Sequence, residues 1–174
     1  MVDATDSKSV SGDRVSVRVR PPAPCSGSGN VVLTVCIDLK SVSDKDNSTA
    51  DVYISVNNVA FPEEGWSDFI VILSWWLRAM RSLREGSSDD AVLDFMDGPF
   101  NIYLQRTSGS RARFYLRENE VDLTLEELGI LQPETEIEDV YADLRRVCAE
   151  LVNEMQRVGK GNLASVRDIV AELR

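Results

Sequence analysis

From Trp66 to Arg84 the apolar residues recur at three- and four-residue intervals, and Trp66, Phe69, Ile70, Leu73, Trp76, Leu77 and Met80 fall on one side of a helix. This spacing predicts a core helix with Trp66 and Trp76 turned inward. Trp75 points the opposite way with Val71 and Ala79, so the outward face is apolar too and calls for a cover. Pro62, Glu63 and Glu64 suit the first turn of such a helix, and Gly86 suits its end. The run closes on Arg78, Arg81 and Arg84, well short of the ~18 uninterrupted apolar residues of a membrane span.

Elsewhere the period drops to two. Val15, Val17 and Val19 alternate with Arg14, Ser16, Arg18 and Arg20, which predicts a strand ended by Pro21 and Pro22. Two more strands are expected from Val31 to Leu39 and from Asp51 to Asn57, the three forming an antiparallel meander. After the helix, Ala91 to Met96, Phe100 to Arg106 and Arg111 to Glu118 read as strands. Asp97-Gly98-Pro99 joins the first two in a wide turn, because Pro99 lacks the N–H that closes a tight one. In the last strand Ala112, Phe114 and Leu116 face one way and Arg111, Arg113, Tyr115 and Arg117 the other, predicting one packed and one wet sheet face.

The remainder reads as helix. Thr124-Leu125-Glu126-Glu127 and Thr135-Glu136-Ile137-Glu138 both match a capping box, placing helix starts at Thr124 and Thr135. Ile137, Val140, Tyr141, Leu144, Val147, Cys148, Leu151, Val152, Met155 and Val158 form a long stripe, broken at Gly159 to Asn162. A last helix follows, striped by Leu163, Val166, Ile169, Val170 and Leu173. The long helix outreaches a six-residue strand, so its apolar overhang must be covered by the last helix, by Trp75 and its neighbours, or by a second copy of the chain. The expected fold is α+β: a mostly antiparallel sheet of about six strands in order βββαβββαα, with helices on one face. Residues 1–12 read as a disordered tail and 13–174 as a single domain.

Composition removes most chemistry. The chain has 174 residues, no histidine, three cysteines and a net charge of -10. Without histidine there is no Ser-His or Cys-His nucleophile pair, and the commonest metal ligand is gone. Cys25, Cys36 and Cys148 are too scattered for a zinc site or a disulfide framework; Cys36 and Cys148 lie in apolar runs and read as small buried hydrophobes. Gly27-Ser28-Gly29 has neither the strand-to-helix context nor the lysine of a phosphate loop. The acidity argues against nucleic acid, and no signal or lipid-attachment motif is legible at the N-terminus. A cytosolic protein with no cofactor and no metal is expected, one whose charge favours basic partners.

Between Glu118 and Asp143 stand ten acidic residues and no basic one. Glu118, Glu120, Asp122, Glu126, Glu127, Glu134, Glu136, Glu138 and Asp139, together with the outward Trp75, are therefore the candidate partner-binding residues. The alternative is a solvated face with acids gathered at two helix N-termini. Asp89, Asp90, Asp94 and Asp97 are the residues that an enzyme working by carboxylates alone would use, but nothing in their spacing sets a pair or a cleft. The arginines of the wet sheet face read first as edge protection.

The segments Trp66-Ser67-Asp68-Phe69, Leu73-Ser74-Trp75-Trp76 and Phe95-Met96-Asp97-Gly98-Pro99-Phe100 together resemble small bacterial proteins that act as immunity partners in toxin systems, over residues 50–118. That resemblance implies an acidic, cytosolic, non-catalytic inhibitor of a basic effector. The leading expectation is thus an intracellular protein-binding inhibitor. A homo-oligomeric module joined through the C-terminal helices is the second, and a carboxylate-only enzyme the third.

Overall fold

A computed structural model describes residues 31–43, 48–128, 130–131 and 133–174, with the backbone alone at 127 and 128. The expected tail 1–12, the expected strand at Val15 to Val19, and Cys25 lie outside the described residues. The rest is α+β, with three helices and two antiparallel sheets against which they pack. The strands that the sequence assigns to one sheet divide between two.

The first sheet is built on β1 (Leu33–Asp38) and β2 (Thr49–Val56), paired from Leu33 opposite Val56 to Asp38 opposite Asp51. β3 (Val59–Phe61) and β4 (Ser67–Phe69) both pair with β2. The second sheet runs β5 (Asp90–Asp94), β6 (Phe100–Ser108), β7 (Arg111–Glu118) and β8 (Val121–Asp122), with β9 (Glu134–Glu136) also on β7. Strict alternation puts Leu33, Val35, Ile37, Val52, Ile54 and Val56 of one sheet, and Leu93, Ile102, Leu104, Phe114 and Leu116 of the other, into a single core.

The central helix α1 spans Ile72–Glu85, so it starts six residues later than the apolar spacing from Trp66 predicts. Ser67–Phe69 pairs with Thr49–Asp51 instead, because β2 offers it an open edge. Trp66 and Phe69 are consequently half-buried strand-region residues and not part of the helical stripe, while Pro62, Glu63 and Glu64 lie in the turn between β3 and β4. Leu73, Trp76, Leu77 and Met80 do form the buried face, joined by Ile72 and Leu83. Gly86 ends the helix in the left-handed region at φ 75°, where its N–H returns to Leu83 and Ser82 carbonyls.

Two buried groups tie α1 and its approach to the second sheet. The Trp76 indole N–H donates to the Asp94 carbonyl at 2.8 Å, and its ring meets Phe95 edge-on at 5.0 Å. The buried Asp68 carboxylate accepts from the N–H of Phe69 at 2.6 Å and of Asp97 at 3.3 Å, which pins the 95–99 loop to the first sheet. That loop is wide, closed by Phe95 N–H on the Phe100 carbonyl. Gly98 sits there at φ 141° beneath Trp66; a Cβ would stand 2.7 Å from the indole ring.

Helix α2 is Ile137–Arg157, about 31 Å long at 1.5 Å per residue. Its stripe from Ile137 to Met155 is buried within the chain against α1, β1 and α3 (Ala164–Leu173). The overhang is thus covered from inside, and Val158 alone of the expected stripe is exposed. Neither expected capping box forms. Thr124 precedes one 3₁₀ turn, Leu125–Leu128, and Thr135 is buried in β9 opposite Ala112, so α2 begins at Ile137 with no side-chain cap. Asp143 on α2 accepts from the Val35 N–H at 2.7 Å, satisfying an edge donor of β1. At the far end, Arg81 of α1 and Arg145 of α2 donate to the last carbonyls of α3, at Glu172 and Leu173. Cations there also suit the negative end of the helix dipole.

Candidate functional site

The outer face of the second sheet is built by β5, β6 and β7, flanked by β8 and β9, whose registers align their outward side chains in rows. Asp90, Gln105, Arg113 and Glu134 form one row; Val92, Tyr103 and Tyr115 the next; Asp94, Asn101, Arg117 and Asp122 the third. The inward positions of the same strands are buried, and on this face Val92, Gln105 and Arg113 are exposed among the described residues. The tyrosine rings lie 5.8 Å apart at 36°. The Arg117 guanidinium rests 4.3 Å from the Tyr103 ring centre and 5.7 Å from that of Tyr115, and its Nε reaches Asp122 at 2.6 Å. Tyr103 donates to Asp90 at 3.3 Å; burial, then the Asp90 charge, pushes its phenol above the usual tyrosine range.

The acidic run of the sequence is not one patch. Glu118, Glu120 and Asp122 lie at the C-terminal end of β7, whereas Glu134, Glu136, Glu138 and Asp139 lie at its N-terminal end. Seven residue steps along β7 separate the two groups by about 23 Å. At the N-terminal end arginines neutralise most of the charge: Glu134 pairs with Arg111 and Arg113, Glu136 with Arg111, and Glu138 with Arg84 at 2.6 Å. Asp139 has no ion pair among the described residues. Glu126 is exposed on the 3₁₀ turn, and the side chain of Glu127 lies outside the described residues. Trp75 is 44 % exposed on the outward side of α1, as the spacing predicts, and belongs to neither group.

At the C-terminal end Asp122 is ion-paired with Arg117. Asp94, Glu118 and Glu120 have no ion pair among the described residues, and the Asp94 carboxyl is held above the usual carboxylate range by burial first and by the Glu120 charge second. Glu118 follows Arg117 in the pleat and so leaves the strand on the opposite side. Glu120 sits in the two-residue β7–β8 turn with Asn119, at φ 63° and 51°. Its carboxylate accepts from Asn101 Nδ2 at 3.4 Å. Asn101 is only 5 % exposed, and its Oδ1 has no donor among the described residues. Asn101 and Tyr103 carry no motif; their trace in the sequence is the polar-apolar alternation of Asn101, Tyr103 and Gln105 with Ile102 and Leu104.

Other chemistry is sparse among the described residues. No three acidic, cysteine or histidine side chains converge to hold a metal ion, and no helix is long and apolar enough to cross a membrane. Two surface recesses of about 230 and 340 Å³ are lined by residues such as Arg84, Arg106 and Glu138, and Gln156, Arg167 and Arg174. Neither includes Asp89, Asp90, Asp94 or Asp97. Cys36 is half-buried and Cys148 fully buried; burial pushes the Cys148 thiol up to about 12. A thiolate is the nucleophile, so Cys148 should stay unmodified by iodoacetamide at neutral pH until the chain is denatured, as read by peptide mass spectrometry. Labelling in the native state would show that α2 opens.

No family model, curated protein or solved structure matches this chain. The class its fold defines is an α+β domain whose second sheet carries Tyr103, Tyr115 and Arg117 on its outer face.

Proposed function

We propose that this protein is a non-catalytic binding protein that docks a basic protein partner on the outer face of its second sheet, at the C-terminal end of β7. The observation that supports this reading is the uneven pairing of charge. Arginines cancel the acids at one end of β7, while at the other Asp94 and Glu120 stand without ion pairs among the described residues. Beside them lie Tyr103, Tyr115 and Arg117, residue types that dominate binding energy where a rim excludes water. The resemblance to immunity proteins makes the partner a basic toxin whose action this chain blocks. A homodimer through the C-terminal helices has less support, because the apolar stripe of α2 is already buried within the chain.

Immobilised protein offered to extract of its native cell tests the reading. A basic protein should be retained at about 0.1 M salt and released at about 1 M, where the screening length falls from about 10 to 3 Å. An Asp94→Lys, Glu120→Lys variant should fail to retain it. A partner held equally by that variant and in high salt would contradict the proposal.

A further inference from the structure

Building on that docking reading, we propose that the partner is anchored by one arginine side chain, which seats between Asp94 and Glu120 and donates to the Asn101 Oδ1. Asn101 is the one outward residue of β6 that is nearly inaccessible; its Oδ1 meets no donor among the described residues, and a buried amide oxygen left so is costly unless something serves it. Its cross-strand neighbour on one side is Asp94; on the other is Arg117, already engaged by Asp122 and the two tyrosine rings. The native arginine therefore does not fill the vacancy.

Every feature around that oxygen calls for a cationic donor. Asp94 and Glu120 repel each other, and neither has an ion pair among the described residues. The Asn101 Nδ2 contact to Glu120, at 3.4 Å, is at the long limit of a hydrogen bond, so the exposed glutamate swings aside easily and then closes on the incoming cation. A guanidinium carries five N–H donors in a planar fork, enough for two carboxylates and the amide oxygen together, and the same face already stacks one guanidinium on Tyr103. A lysine ammonium offers three donors and no plane to stack.

Isotope-labelled full-length protein titrated with N-acetyl-arginine amide tests this by NMR. The side-chain NH₂ signals of Asn101 and the Glu120 amide should shift saturably, and affinity should fall about tenfold or more in Asp94→Asn and in Glu120→Gln. N-acetyl-lysine amide should bind more weakly. Asn101→Leu, which removes the unserved oxygen, should melt no lower than wild type yet lose the arginine response. Equal binding of the lysine probe, shifts centred on Glu138 and Asp139, or no saturable shift because the oxygen holds a structural water only, would each overturn the anchor. So would a captured basic protein that needs Asp94 and Glu120 but binds Asn101→Leu as tightly as wild type; that result would leave the docking reading standing. Capture indifferent to salt and to charge reversal is the separate failure of docking itself.

Discussion

Replacing Trp76 by alanine should destabilise the fold by about 3 to 5 kcal/mol, the range for deleting a large aromatic from a packed core. The indole is fully buried, meets Phe95 edge-on, and supplies the donor for the Asp94 carbonyl. The variant therefore leaves a cavity and an orphaned acceptor at the edge of the second sheet. Chemical denaturation measures the effect directly: the midpoint should fall steeply with little change in slope. An unchanged midpoint would mean that α1 presents a different face to the core. Because β5 carries Asp94, the same variant should also loosen the proposed anchor.

The second large effect belongs to Asp68. Asp68→Ala removes the acceptor for the Phe69 and Asp97 N–H groups and should cost about 1 to 3 kcal/mol, the range for a hydrogen-bonding group left unmet away from water. Its pH dependence has a defined sign. Burial is the largest influence and raises the carboxyl above its ordinary value; the N–H groups of Phe69, Asp97 and Met96 pull it down, and the Asp97 charge pushes it up. The folded state then holds a proton more readily than the unfolded chain. The associated stability is fully present below the ordinary carboxylate range near ~3.9 and is lost as pH rises through the raised folded value. Asp68→Asn cannot titrate, so the stability difference between wild type and Asn should narrow from strongly acidic pH up through that window and stay flat near neutrality. A difference that instead grew with pH would show that the N–H bonds outweigh burial.

The long-period elements were legible because many residues repeat one signal. The α2 stripe from Ile137 to Met155 is buried as its spacing predicts, and the Ala112, Phe114 and Leu116 alternation correctly separates the two faces of β7. Short elements defeat that reasoning. In Ser67–Phe69 three residues cannot show a period, and Ile70 is buried whether the chain there is helical or not, so the apolar run extended the helix too far. Thr135 has the right spacing for a cap, but cross-strand attraction of Glu134 and Glu136 to Arg111 and Arg113 holds it in β9. That pairing joins residues more than 20 positions apart, which no local pattern reveals. For the same reason the run from Glu118 to Asp143 looked like one acidic surface. Antiparallel pairing sends its two halves to opposite ends of β7, and the arginines that look like edge protection in sequence cancel one half. Asn101, whose buried Oδ1 meets no donor among the described residues, is an ordinary asparagine until its burial is known.

The association rate of the captured basic partner, followed across ionic strength, tests the docking account most directly. Wild type is compared with Asp94→Lys, Glu120→Lys at one end of β7 and with Glu138→Lys, Asp139→Lys at the other. Exposed charges act mainly on association and little on stability, so all three proteins should fold alike. The account predicts that the first variant associates slowly and with a flattened salt dependence, while the second stays close to wild type. Equal slowing by both variants, or slowing by the second alone, would contradict it.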